Sequence, residues 1–292
     1  MNFIHTFYSA PLLKNKFNKY ETLIDVVISN YTYSAYCCKK ILGQKIILYA
    51  DKTGAEILSN IPYDEVKILD FNSSVDFAAS IKFEAIKDMT PDDILIDGDL
   101  FLQTKKCLNL INEYSGSYDY LYSFFEPASY TLRDVKDVVK CNNMVNKLKE
   151  RADLFTDPYI LPQKHEDFGW PNTSFMKFNN MELKNNYINQ YMFFKKELEH
   201  LDFGETWPDI IIEQYHMKKL LAYGNYTSRP MIENFPAPEA NTYALDIGFT
   251  HLGSAKVQLN QMFKDKMLSK FGRHEFKKME KQISKWKRFK VE

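Results

Sequence analysis

The chain has 292 residues, 45% hydrophobic and 15% aromatic, with 38 basic side chains balanced by 38 acidic ones. This length buries about three quarters of the unfolded surface as one large domain or two lobes, and the composition excludes disorder, collagen and a disulfide miniprotein. A formal net charge of zero gives no overall field for steering onto nucleic acid or an anionic membrane, so any such role is regional.

Short β-rich runs occur at Phe3–Tyr8, Lys45–Ala50, Glu65–Asp70, Asp93–Asp97 and Tyr118–Phe124, with helix-compatible segments between most of them. This alternation predicts an α/β fold with a mixed, mostly parallel sheet flanked by helices. Tyr20 to Leu42 has helical spacing, and Gly43 stands where a helix C-cap belongs. Asp51-Lys52-Thr53-Gly54 opens a short helix that closes before Pro62.

After about residue 125 the pattern changes. Residues 126–170 contain a charged helical stretch and then Pro158, Pro162 and Gly169 before Pro171, and read as an insertion or lid. A strand is expected at Asn172–Phe178, helices at Met181–His200 and from Pro208 to Tyr223, and a late strand at Tyr243–Phe249. The α/β domain is taken as residues 1–263. Residues 264–292 carry eleven Lys or Arg against four Asp or Glu, net +7, leaving −7 on the rest. Phe276, Met279, Ile283 and Trp286 recur there at helical spacing, which predicts a basic amphipathic C-terminal helix. Its stripe either docks on the domain or serves a peripheral membrane or acidic partner. Cys37, Cys38, Cys107 and Cys141 form no C-x-x-C pair and suit a reducing compartment. Met1–Leu13 does not read as a signal peptide, and no apolar run reaches the roughly 18 to 20 residues of a membrane span. A cytoplasmic protein is expected.

The string most informative about chemistry is Asp92-Asp93-Ile94-Leu95-Ile96-Asp97-Gly98-Asp99, an apolar strand ending in two carboxylates around a glycine. Ligands of open α/β sheets sit at the carboxyl ends of strands. Two carboxylates one residue apart suit a hard divalent cation, Mn²⁺ or Mg²⁺, that also takes diphosphate oxygens, and Gly98 lets the backbone approach closely. Taken alone, the string also fits a polar turn closing a buried strand. Lys82 lies on a predicted helix leading into this strand. His251-Leu252-Gly253-Ser254-Ala255-Lys256 follows the late strand: His251 is a candidate third metal ligand, and Gly253 and Lys256 suit a phosphate at a helix start.

These residues resemble the metal-dependent nucleotide-sugar glycosyltransferases of GT-A fold, especially the family-8-like and capsule-type enzymes, over roughly residues 3–125 and 168–256. The resemblance implies that Asp97 and Asp99 are the D-x-D that chelates the metal under a sugar nucleotide. It also implies that Lys82 is the family's basic helix residue and that His251, Gly253 and Lys256 are its late His-Gly-Lys element, here with one residue between His and Gly instead of two. Trp170-Pro171-Asn172-Thr173-Ser174 is similar to the strand that lines the sugar pocket, with Asn172 as the sugar-binding residue. Glu213-Gln214 is similar to the acidic-Gln pair beyond it, making Glu213 and Gln214 the catalytic candidates, with Glu166 and Asp167 as rival bases. Tyr8 and Asp51 sit where such folds receive the nucleoside.

The implied partners are a nucleoside diphosphate sugar and an acceptor that is a glycan, lipid or protein; nucleic acid is not expected. A non-catalytic binding or structural protein on the same fold is the competing reading. Absence of G-x-G-x-x-G and of G-x-x-x-x-G-K-[ST] argues against a dinucleotide enzyme and a P-loop NTPase.

Overall fold

The computed structural model describes residues 1–14, 20–204, 208–233 and 244–289. Strands among them are β1 (Asn2–Phe7), β2 (Lys45–Asp51), β3 (Glu65–Leu69), β4 (Asp93–Ile96), β5 (Leu100–Leu102), β6 (Tyr120–Glu126), β7 (Trp170–Pro171), β8 (Phe175–Phe178), β9 (Ser228–Ile232) and β10 (Phe249–His251). The fold is mixed α/β, as its alternating pattern predicts, and it divides into two compact units.

The first unit comprises residues 1–71, 93–110 and 244–292. Its sheet is parallel in the order β3-β2-β1-β4. Ile4 of β1 stands opposite Ile47 on one side and Leu95 on the other. Strands covered on both faces read as continuous apolar runs instead of alternating ones; Phe3, Ile4, Ile94, Leu95 and Ile96 are accordingly buried. The one polar ring in β1, His5, is satisfied by the Tyr63 hydroxyl at 2.9 Å and the Ser34 hydroxyl at 3.0 Å. Burial pushes its pKa down to about 3, so the ring is neutral.

Helix Tyr20–Tyr36 widens into a π turn at Cys37–Leu42 and ends at Gly43, whose φ of 70° is the left-handed cap expected there. The basic C-terminal segment is two helices, Lys256–Phe271 and Arg273–Lys287, separated by Gly272 at φ 90°. Both pack on helix Tyr20–Tyr36, and Met279, Ile283 and Trp286 are buried. Polar ties reinforce this docking: Tyr20 donates to the Trp286 carbonyl at 3.1 Å, and Lys264 and Lys287 reach Asp25 at 3.0 and 2.7 Å. The apolar stripe is therefore consumed inside this unit, while Lys277, Lys278, Lys281 and Lys285 stay exposed. No helix among the described residues is long and apolar enough to cross a membrane.

The expected strand Tyr243–Phe249 is not formed as such. Tyr243 lies outside the described residues, 244–247 are helical, and the strand is Phe249–His251. Ala244 and Ile247 are buried while Leu245 is exposed, an i, i+3 pattern that suits a helical turn and not a two-residue alternation. Gly248, at φ 75°, then reverses the chain.

The second unit comprises residues 72–92 and 111–243. Here β6 is central, pairing antiparallel with β8 and with β7 and parallel with β9. Of the run expected as one strand at Asn172–Phe178, only Phe175–Phe178 forms one, β8; residues 172–174 are a turn after β7, where the Asn172 side chain accepts the Ser174 N–H at 3.0 Å. Strand β9 was hidden in the sequence by Pro230, which removes a ladder donor. Within 126–170, helix Val135–Leu148 is capped by Asp134 accepting the Asp137 N–H at 2.9 Å.

Candidate metal centre

In the first unit the carboxyl ends of three neighbouring strands, β2, β1 and β4, deliver Asp51, Tyr8 and Asp97. After β4 the chain turns at once, with the Leu100 N–H on the Asp97 carbonyl at 3.0 Å, and runs out as β5. Strand β10 pairs antiparallel with β5, setting His251 opposite Leu100, and the Leu252 N–H reaches the Asp99 carbonyl at 3.1 Å. The Gln103 amide locks this register by donating to the Thr250 hydroxyl at 2.9 Å. Backbone pairing across some 150 positions thus brings His251 to the acidic turn.

One ligand atom from each of Asp97, Asp99 and His251 lies within 4.8 Å of the others. Asp99 Oδ1 is 3.6 Å from His251 Nε2, and Asp99 Oδ2 is 3.3 Å from Lys256 Nζ. Burial alone would raise the Asp99 pKa, but His251 and Lys256 outweigh it and hold the carboxyl well below the usual carboxylate range. Two carboxylates and an imidazole on converging backbones are a donor set that fits Mn²⁺ or Mg²⁺. Gly253 takes φ 49° in the short turn before helix Lys256–Phe271, and Lys256 opens that helix with 45% of its side chain exposed.

Asp51 has the backbone of a helix N-cap but does not cap with its side chain; its two oxygens accept the Ser9 N–H, at 2.8 Å, and the Ser9 hydroxyl. That bond ties the loop after β1 to the end of β2. Tyr8 is half-buried and meets Phe71 edge to face, with centroids 4.8 Å apart.

Lys82, Asn172, Glu213 and Gln214 belong to the second unit. Glu213 is buried and accepts the Thr173 hydroxyl at 2.7 Å and Lys82 Nζ at 3.4 Å. Asn172 donates to Glu126 at 2.7 Å, beside the Trp170 indole at 3.0 Å. Of the rival bases, Asp167 accepts the backbone N–H of Gln163 at 2.8 Å and of Lys164 at 3.2 Å, which fits a turn residue.

One turn before Glu213, buried Asp209 accepts the Ala79 N–H at 2.9 Å and the Tyr191 hydroxyl at 2.7 Å. Burial, against the pull of those two donors, pushes its pKa from 3.8 up to about 7. A carboxyl raised on folding holds a proton that the unfolded chain has lost. Its contribution is complete below about pH 4 and disappears as pH rises through about 7. Urea midpoints should therefore fall between pH 4.5 and 7.5 by less in Asp209→Asn than in the parent; equal slopes would remove Asp209 as the titrating group.

Several contacts that shape these sites have no local signature in the chain. Tyr31, within the helical run Tyr20 to Leu42, packs on Gly98: a Cβ there would lie 2.2 Å from its ring. Ser9, Glu126, Thr173 and Asp209 likewise act through partners distant in sequence, which no local pattern reveals.

No family model matches the chain, and no curated protein matches it. Among solved structures it is similar to the apo form of mouse xyloside xylosyltransferase 1, at 9% identity and TM-score 0.36 over 79% of this chain and 85% of that one. A likeness at this level bears on neither reaction nor substrate, so a functional reading has to rest on the side chains.

Proposed function

We propose that the protein is a metal-dependent glycosyltransferase that moves a sugar from a nucleoside diphosphate sugar to an acceptor hydroxyl. The observation that carries this reading is the convergence of Asp97, Asp99 and His251 at the end of a parallel-sheet strand, with Lys256 beside them. Sheet ends of this kind receive phosphorylated ligands.

Asp97, Asp99 and His251 would hold Mn²⁺ or Mg²⁺, which when bound supplies Lewis-acid neutralisation of the departing diphosphate. Lys256, at a helix start preceded by Gly253, adds a cation and backbone donors for the phosphates. Tyr8 offers a ring to the base, and Asp51, held by Ser9, fixes the loop that carries it. In the second unit Glu213 and Gln214 are the proposed catalytic pair. Glu213 is a buried carboxylate with Lys82 as countercharge, and Asn172 is proposed for the sugar.

A thermal-shift panel of nucleoside diphosphates and nucleotide sugars, each with Mn²⁺, Mg²⁺ or chelator, tests this reading. A ligand at 100 times its dissociation constant stabilises by about 2.7 kcal/mol, well within detection. Nucleotide is expected to add stabilisation only when metal is present. No shift with any combination would leave the non-catalytic binding or structural reading in its place.

A further inference from the structure

Resting on the metal reading above, we propose that Tyr31 is the positioning residue of the metal centre. Its ring is the floor that fixes where the Asp97-Gly98-Asp99 turn lies, and its hydroxyl anchors that floor to β1. The ring and the Gly98 backbone are in direct contact: a Cβ on Gly98 would meet three Tyr31 ring carbons at 2.2, 2.3 and 2.4 Å. Glycine is required at this position because an aromatic face occupies the space of a side chain, although Gly98 has no positive φ.

The ring itself is fixed from several sides. Its hydroxyl donates to the Thr6 carbonyl at 2.7 Å, two residues before Tyr8. Its edges meet His5 and Phe7, with centroids 5.1 and 5.3 Å away. His5 is in turn clamped by Tyr63 and Ser34, and the Ser34 hydroxyl also donates to the Leu100 carbonyl, the residue after Asp99, at 2.7 Å. One helix turn, Tyr31 to Ser34, thus supports the acidic turn from beneath and at its exit. Two carboxylates on adjacent sides of a glycine have their separation set by the backbone of that turn. A displaced turn separates the oxygens that a cation must reach together.

The test is Mn²⁺ uptake without nucleotide, read from the loss of the free-ion EPR signal, with circular dichroism and Tm on the same samples. Tyr31→Ala and Gly98→Ala should each weaken Mn²⁺ binding by ~10–100-fold, the range seen when outer-shell supports of metal sites are lost. Tyr31→Phe keeps the ring and its packing and loses only the bond to the Thr6 carbonyl, so it should bind Mn²⁺ more tightly than Tyr31→Ala and more weakly than the parent. The double variant Tyr31→Ala/Gly98→Ala should bind better than Gly98→Ala alone, because the methyl then has room. A purely packing role would lower Tm in Tyr31→Ala and leave Mn²⁺ affinity alone, which overturns the proposal. So would a Gly98→Ala protein that binds Mn²⁺ like the parent, a double variant no better than Gly98→Ala, or Tyr31→Phe as weak as Tyr31→Ala. Failure of the parent itself to take up Mn²⁺ would instead reject the metal reading, and the proposal with it.

Discussion

Asp99→Asn is expected to abolish the metal-dependent part of nucleotide stabilisation, and Asp97→Asn to do the same, with circular dichroism unchanged in both. The amide keeps the shape and removes the charge that a hard cation requires. A gain of about 2.7 kcal/mol at 100-fold saturation should fall below detection. Lys256→Met should give a split signature. Lys256 lies 3.3 Å from Asp99 and is nearly half exposed, so it competes with an incoming cation through a screened charge worth about 1 kcal/mol or less. Its removal should raise affinity for Mn²⁺ alone by a few-fold while lowering affinity for nucleoside diphosphate. Full metal-dependent stabilisation in both Asn variants would remove the centre from the argument. Parallel losses of metal and nucleotide binding in Lys256→Met would make the lysine structural.

The second large effect is expected in the other unit. Lys82 and Glu213 form an ion pair in which the side chains are only 15% and 5% exposed. Breaking such a pair from one side leaves an uncompensated buried charge and costs roughly 3–5 kcal/mol. Lys82→Met should therefore lower the urea midpoint strongly at pH 7. The Lys82→Met/Glu213→Gln double variant should recover much of the loss, because a neutral amide can still accept from Thr173. A neutral effect of Lys82→Met, or a double variant no better than the single, would show that the carboxylate is not held by Lys82. The same cycle separates stability from chemistry: the double variant should be folded and, on the glycosyltransferase reading, inactive.

The legible parts of this chain were those whose signals are local. The apolar run ending at Asp97 and the Gly43 cap could both be read from a few consecutive residues. His251 was legible as a residue type near a strand end, but the strand was placed too early because Ala244 to Ile247 looks β-compatible until its i, i+3 burial is seen. Asp51 was visible as a cap residue, yet its side chain is taken by Ser9, 42 positions away. Tyr31 was the most deeply hidden. On its own helix it is one ring among many, and only the folded chain puts it against Gly98, 67 positions later. Register between β5 and β10 is likewise a property of tertiary pairing and has no short-range signature.

The first unit is assembled from residues 1–71, 93–110 and 244–292, and that discontinuity bears on how the chain is synthesised. Asp97 and Asp99 leave the ribosome about 150 residues before His251, an interval of roughly 8–30 s at 5–20 residues per second. Throughout that interval the helix Tyr20–Tyr36 lacks the two helices that cover it in the finished fold, and its apolar side is available to chaperones. Closure of the acidic turn by His251 is thus a late step, and a nascent chain halted near residue 243 would carry both carboxylates without the imidazole that completes the set.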